Sequence, residues 1–132
     1  MAEHLRHLNV SIGRPAQAVY DYACVPENFS HWASGLGESL KRQGDIWLAT
    51  SAEGQVRIRF SEKNAFGVLD HWVSLPAGQL VYVPLRVIAN GEHSELVFTL
   101  LRQPEMDDEK FAADAAWVMR DLNRLKVILE AI

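Results

Sequence analysis

The sequence contains one cysteine, Cys24, among its 132 residues. A single cysteine cannot form an internal disulfide, so we expect no disulfide framework. Cys24 lies in an apolar stretch with helical spacing, which predicts a small buried side chain rather than a nucleophile. The fold must therefore be stabilised by an apolar core.

Long apolar runs are also missing. No stretch of about 20 apolar residues that could span a bilayer is found, and no charged-then-apolar leader precedes the first strand. Together with the scarcity of cysteine, this pattern predicts a cytoplasmic protein without a membrane span.

An excess of positive charge is likewise absent. Lysine and arginine number 13 against 17 aspartate and glutamate residues, which gives a formal net charge of -4. The basic residues are scattered and form no stripe that could neutralise a row of phosphates. Nucleic acid is thus not an expected partner.

The composition that remains is that of a folded globular protein. Hydrophobic residues make up 48% of the chain and charged residues 23%, far from the polar composition of disordered proteins. A chain of this length can bury a sizeable core but has no room for a second one. We expect one domain over residues 1–132.

The N-terminal region alternates and then becomes helical. Residues 5–12 show the period of two that is typical of a strand. Pro15 suits the first position of a short helix that runs to about Cys24, and Pro26 begins a second one that carries Phe29 and Trp32. Gly35 ends this part of the chain.

From residue 38 to 102 the chain alternates between short apolar segments and turn residues. The pairs Gln43-Gly44, Glu53-Gly54 and Asn90-Gly91 are typical of hairpins in an antiparallel meander. From about Asp107, apolar residues recur at spacings of three and four, which predicts one long amphipathic helix with Asp107 as its N-cap. The predicted fold class is α+β, with a curved antiparallel sheet of about seven strands around a long C-terminal helix.

Hairpin geometry predicts which residues share a face of the sheet, because opposite residues point to the same side. A two-residue turn at Asn90-Gly91 sets Leu85 opposite Leu96, and a three-residue loop 77–79 sets His71 opposite Leu85. The resulting inner face is apolar except for His71. Sequence alternation also places the apolar side chains of Trp47, Ile58 and Phe60 on this face.

The same register places Arg59, Asp70, Arg86 and Glu95 in a row on the outer face. Their charges alternate in sign from strand to strand, and the pleat directs them away from His71. The row is therefore interpreted as a solvated cross-strand ladder rather than a catalytic cluster. Trp72 shares this outer face, where it would mark a surface contact or the seam of a homodimer.

No motif indicates a metal, a cofactor or nucleophilic catalysis. The five histidines lack close ligand spacing, so no metal site is expected. The glycines form no loop that would cradle a phosphate, and the sequence has no nucleophile elbow around a serine.

His71 is the sharpest functional candidate. A histidine within an apolar face must form a hydrogen bond, and burial would keep its ring neutral. It could orient a ligand or transfer a proton, although a histidine in such a place is commonly a satisfied core residue. A catalytic role would need a second polar group, for which Glu38 is the best candidate.

The opening strand followed by Arg14-Pro15-Ala16-Gln17-Ala18-Val19-Tyr20, then Pro26-Glu27-Asn28-Phe29 with Trp32, the meander and the final helix resembles the SRPBCC superfamily. This superfamily includes the START and Bet v 1-like domains and polyketide cyclase/dehydrase-like proteins. The resemblance covers nearly the whole chain and implies a cavity between the sheet and the last helix. Carried over to this sequence, it implies cavity walls formed by Trp32, Trp47, Ile58, Phe60, Leu69, His71, Val83, Leu85, Phe98, Trp117 and Val118.

Three functional hypotheses remain at this stage. The leading one is non-catalytic binding of a small hydrophobic or aromatic molecule whose polar end is held by His71. The second is a polyketide cyclase/dehydrase-like enzyme that uses His71 for proton transfer. The third is an interaction protein whose cavity is filled by its own side chains. The volume of the cavity separates the third hypothesis from the other two.

Overall fold

The computed structural model describes residues 3–34 and 40–132. This part of the chain forms eight strands and three helices. In chain order they are β1 (Leu5–Ile12), α1 (Ala16–Ala23), α2 (Pro26–Trp32), β2 (Lys41–Gln43), β3 (Ile46–Ser51), β4 (Gly54–Phe60), β5 (His71–Ser74), β6 (Leu80–Val83), β7 (Leu85–Asn90), β8 (His93–Leu101) and α3 (Asp108–Glu130).

The strands form two antiparallel sheets. The segment 80–90 passes from one sheet into the other, as β6 and then β7. One sheet has the order β1-β8-β7 and the other the order β2-β3-β4-β5-β6. Residues 67–69 join them by pairing with β7, through hydrogen bonds from the Leu69 N–H to the Leu85 carbonyl and from the Val87 N–H to the Gly67 carbonyl. About seven strands were predicted, and the count is eight because Pro84, which has no N–H, divides one strand into β6 and β7.

The helices follow the sequence pattern closely. Pro15 and Pro26 stand at the starts of α1 and α2, as predicted. Asp107 caps α3, and its side chain accepts a hydrogen bond from the Lys110 N–H at 2.7 Å. The face of α3 that includes Phe111 and Leu122 is buried, and the helix packs chiefly against β1.

Two hairpin loops lie one residue earlier or later than predicted. The turn between β7 and β8 is Gly91-Glu92, so Leu85 faces Phe98 and not Leu96. The loop between β5 and β6 is 76–78, so His71 faces Val83 and not Leu85. Each shift moves the partners by two residues, which preserves the face to which every side chain points.

A long connection, residues 61–70, joins β4 and β5. The Asn64 side chain organises it by accepting hydrogen bonds from the N–H groups of Phe66 and Val68 and by donating to the Val68 carbonyl. The backbone N–H of Asn64 donates to the Tyr20 hydroxyl at 2.8 Å. This hydrogen bond fastens the loop to α1.

The core lies between the inner face of the sheets and the three helices. Its fully buried side chains come from all of these layers, and they include Ile12, Ile58, Leu85, Leu96, Leu122 and Leu125. Within residues 3–34 and 40–132, no helix combines the length and the apolar character that crossing a bilayer requires.

Candidate functional site

His71 lies on the inner face of the sheet, at the first position of β5. Its side chain is buried, with 4% of the residue exposed. Nδ1 is 3.1 Å from the carbonyl oxygen of Leu69. Because a carbonyl only accepts hydrogen bonds, Nδ1 carries the proton in the neutral ring, which leaves Nε2 as an acceptor.

Burial lowers the pKa of His71 below its usual value of about 6.5. The hydrogen bond to Leu69 and the negative charge of Asp70 act in the opposite direction but do not outweigh the loss of hydration. The imidazole is therefore neutral at physiological pH.

Aromatic side chains surround the His71 ring. The Phe29 ring lies 5.5 Å from the imidazole in an edge-to-face arrangement, and the Phe60 ring lies 5.7 Å away. Phe29 also meets the Trp32 ring edge-to-face at 5.1 Å. These contacts come from α2, β4 and β5, so the cluster ties the second helix to the sheet.

A small cavity of about 20 Å³ lies against this cluster, and we call it the inner cavity. This volume is close to the minimum that a single water molecule occupies. The inner cavity is lined by Tyr20, Ala23, Cys24, Phe29, Trp32, Phe60, Ser61, Val68, Leu69, His71 and Leu85. It can hold a hydroxyl group or a water molecule, but not a whole organic ligand.

The indole N–H of Trp32 is buried and has no hydrogen-bond partner within the part of the chain that the structure describes. A buried donor without a partner costs about 1–3 kcal/mol. Trp32 lines the same inner cavity as His71. The cavity wall thus contains one residue with an unused donor and one with an available acceptor.

A larger, solvent-open cleft of about 650 Å³ adjoins the inner cavity, and we call it the mouth cleft. The two share Cys24, Phe60 and Ser61. The other residues of the mouth cleft are Pro26, Glu27, Leu40, Arg42, Asp45 and Trp47. Its volume falls within the range of small-molecule sites.

The predicted cavity walls divide into three groups. Trp32, Phe60, Leu69, His71 and Leu85 line the inner cavity, and Trp47 lines the mouth cleft. Ile58, Val83, Phe98 and Val118 lie in the core or pack against it without lining either space.

Trp117 does not lie in the cavity wall. It is 45% exposed, because it stands beside the buried stripe of α3 and not on it. Its indole N–H donates to the Ser34 carbonyl at 3.4 Å, and the Arg120 guanidinium lies 5.1 Å from its ring. Glu38, the predicted second polar group, lies outside the described residues.

The sequence analysis missed the contribution of α1 to the site. Tyr20, Ala23 and Cys24 line the inner cavity at spacings of three and four, so they share one face of the helix. The sequence predicted the helix from the spacing of Ala18, Val19, Tyr22 and Ala23. This pattern did not indicate which residues of the helix border a cavity.

The predicted charged ladder on the outer face is wrong in three respects. Arg59 faces Trp72 and not Asp70. Asp70 is not solvated but only 5% exposed, and it accepts hydrogen bonds from the Tyr82 hydroxyl, the Leu85 N–H and the Arg86 guanidinium. Glu95 faces Ile88 and Ser11 and not Arg86, because the β7–β8 register differs from the predicted one.

The Asp70–Arg86 ion pair itself forms, with Oδ2 and Nη2 2.8 Å apart. Burial alone would raise the pKa of Asp70, but the hydrogen bonds from Arg86, Tyr82 and the Leu85 N–H outweigh it and lower the pKa to about 2. Asp70 therefore remains charged and organises the outer face without reaching the inner cavity.

Solved structures share this architecture over almost the whole chain. DynU16, a protein of the dynemicin biosynthetic locus, aligns with a TM-score of 0.73 at 19% identity, covering 98% of this chain and 48% of DynU16. Ara h 8.0201, a Bet v 1-like protein, aligns with a TM-score of 0.70 at 11% identity, covering 98% of this chain and 99% of that one. This chain has the helix-grip fold.

BexL, the di-domain ARO/CYC protein of the BE-7585A biosynthetic pathway, shares the fold with a TM-score of 0.70 at 14% identity, covering 97% of this chain and 47% of BexL. The helix-grip chain thus spans about half the length of DynU16 and of BexL. No protein-family model matches it, and no curated protein sequence matches it either. The predicted SRPBCC resemblance is confirmed as a likeness of fold.

Proposed function

We propose that this helix-grip protein binds a small hydroxyl-bearing aromatic molecule. The aromatic body occupies the mouth cleft, and the hydroxyl group enters the inner cavity and donates to Nε2 of His71. The observation that carries this proposal is the adjacency of a ligand-sized cleft and a water-sized cavity, whose walls share Cys24, Phe60 and Ser61.

The sizes of the two spaces determine which part of a ligand fits where. The inner cavity, at about 20 Å³, accommodates one polar group, whereas the mouth cleft, at about 650 Å³, accommodates a ring system. Phe60 contributes to both spaces and lies within the aromatic cluster around His71. A bound ring could therefore contact Phe60 while its hydroxyl group passes inward.

The chemistry of the inner cavity favours a hydroxyl group over a charged group. A carboxylate would have to shed its hydration in a largely apolar space, and His71 is neutral and offers no compensating charge. A hydroxyl group both donates and accepts, so it suits a wall that contains the His71 acceptor and the unpartnered Trp32 donor.

The proposal is tested by calorimetric titration of the purified protein with 2-naphthol and with 2-methoxynaphthalene, which cannot donate a hydrogen bond. We expect 2-naphthol to bind and the methoxy compound to bind at least about tenfold more weakly, because its ether leaves the His71 acceptor without a partner. In His71→Phe the preference for 2-naphthol should disappear. Phe60→Leu should weaken the binding of both compounds.

Arg124→Gln, an exposed change on α3, serves as the control and should bind like the unmodified protein. Circular dichroism and a thermal melt establish that each variant is folded. Equal affinity for the two compounds in the unmodified protein, or no binding of either, would contradict the proposal. The second of these results would favour a core filled by its own side chains.

A further inference from the structure

A second concave site lies on the opposite face of the sheet from His71. It is a groove of about 490 Å³, which we call the convex-face groove, lined by Ile46, Arg57, Arg59, Trp72, Ser74 and Leu80. These residues come from β3, β4, β5 and β6, and the pleat separates them from the inner cavity. An outward sheet face is ordinarily polar, so an apolar floor with an aromatic ring indicates a contact surface.

Neighbouring side chains hold Trp72, the aromatic residue of the convex-face groove, in a fixed orientation. The Trp72 ring stacks on Tyr82, with centroids 5.1 Å apart and planes inclined by 22°. The Tyr82 hydroxyl donates to the buried Asp70 carboxylate at 2.7 Å, and Arg86 neutralises that carboxylate. Because the Trp72 ring is already held in place, little side-chain entropy is lost when a flat ring binds to it.

The groove contains two cationic side chains, Arg57 and Arg59, beside the neutral hydroxyl group of Ser74. Arg57 and Arg59 are exposed, and neither takes part in an ion pair within the described part of the chain. They stand two residues apart on β4, which places them on one face with their Cα atoms about 7 Å apart. The chain as a whole carries a net charge of -4, so this pair is a local reversal of sign.

The charge pattern also decides against a second copy of this chain as the occupant. A twofold contact through this face would bring both arginine pairs together with no carboxylate lining the groove to separate them. Like charges brought together at an interface oppose association. The complement of this groove is an anion with an apolar, flat body.

From this geometry we infer that the convex-face groove binds a free aromatic carboxylate or sulfonate. The ring lies against Trp72 and the apolar side chains of Ile46 and Leu80, and the anionic group lies between Arg57 and Arg59. Guanidinium groups favour carboxylate oxygens because their paired N–H donors match them in geometry. This site is distinct from the mouth cleft and does not depend on the function proposed for it.

The inference is tested by calorimetric titration with 2-naphthoate at low salt. Because the contacts are exposed, we expect Arg59→Gln to weaken binding about threefold and the Arg57→Gln/Arg59→Gln double variant about tenfold. Raising NaCl to about 0.5 M should weaken binding in the unmodified protein but have little effect in the double variant. The neutral compound 2-naphthalenemethanol should bind more weakly than 2-naphthoate.

Arg124→Gln is the matched control, since it removes the same charge from an exposed position on α3. Its affinity for 2-naphthoate should equal that of the unmodified protein. Equal binding by the double variant and the unmodified protein would overturn the inference. So would a loss of 2-naphthoate binding in Phe60→Leu or His71→Phe, because it would place the anion in the mouth cleft.

Discussion

The buried carboxylate of Asp70 organises the junction between the two sheets. Its carboxylate receives donors from a tyrosine hydroxyl, a backbone amide and a guanidinium, and each of these groups belongs to the segment 82–86. This segment includes Pro84, where the strand breaks between β6 and β7. Asp70 thus holds together the point at which the two sheets meet, because it accepts the N–H of Leu85 directly after the strand break at Pro84.

We predict that Asp70→Asn lowers the free energy of unfolding by about 2 kcal/mol at pH 7, because an amide loses the charge that its three donors stabilise. The folded pKa of about 2 lies below the unfolded value of about 3.9. The stabilisation is therefore fully present above about pH 4 and is lost as the pH falls towards 2. Urea unfolding at pH 7 and at pH 2.5 measures both effects.

Asp114→Asn is the control for this measurement, since it also removes one carboxylate from an ion pair. Its partner Lys110 lies one turn away on α3, and both side chains are substantially exposed. An exposed pair of this kind contributes less than about 1 kcal/mol. If Asp70→Asn cost no more than Asp114→Asn, the organising role of Asp70 would be refuted.

At the scale of single elements, the hairpin between β5 and β6 explains why the predicted register was off by two residues. The sequence signal was the pair Ala77-Gly78, and it did not determine which position of the loop the glycine occupies. In the structure Gly78 is the third residue of the loop 76–78, with a φ of 95°. Three-residue hairpin loops place their left-handed residue at this position.

We expect Gly78→Ala to destabilise the protein by about 1 kcal/mol. An added Cβ would meet no heavy atom within 4 Å, so the cost arises from the backbone conformation alone. Gln79→Gly is the matched test of the alternative loop 77–79, in which Gln79 would be the left-handed residue. Chemical denaturation that showed Gln79→Gly to be stabilising and Gly78→Ala to be neutral would contradict the observed register.

Most elements were predictable because their signals are local. Pro15, Pro26 and Asp107 each act on the adjacent turn of helix, and the alternation of side chains fixes the inner face whatever the exact register. The volume of the inner cavity was not predictable, because it depends on how Phe29 and Trp32 of α2 pack against Phe60 of β4. The burial of Asp70 was missed for the same reason, since Tyr82 covers it from another strand.

At the scale of the whole molecule, His71 couples proton binding to global unfolding. Its ring is enclosed by α2, β4 and β5 and only 4% of the residue is exposed, so a protonated ring would lose most of its hydration in the folded protein. In the unfolded chain its pKa is about 6.5, whereas burial lowers the pKa in the folded protein. Below about pH 6.5 the unfolded state therefore binds a proton that the folded state does not accept.

From this difference we predict that the free energy of unfolding falls as the pH is lowered from 7 to 5, with a contribution from His71 of at most about 1.4 kcal/mol per pH unit. His71→Phe places a third phenyl ring beside Phe29 and Phe60 and should flatten the curve in this range. Gln55→Ala, an exposed change that removes no titratable group, should leave the slope as it is. Urea unfolding at pH 5, 6 and 7 gives the three slopes.

The shifted pKa of Asp121 does not imitate the effect. Burial raises the pKa of Asp121, which acts with the opposite sign, because the folded state then takes up a proton more readily than the unfolded state. Asp121 is unchanged in both variants, so its contribution cancels when their slopes are compared. If the free energy of unfolding changed with pH in the same way in the unmodified protein and in His71→Phe, the imidazole would be protonated as readily in the folded state as in the unfolded state. The neutral acceptor on which the binding proposal depends would then be lost.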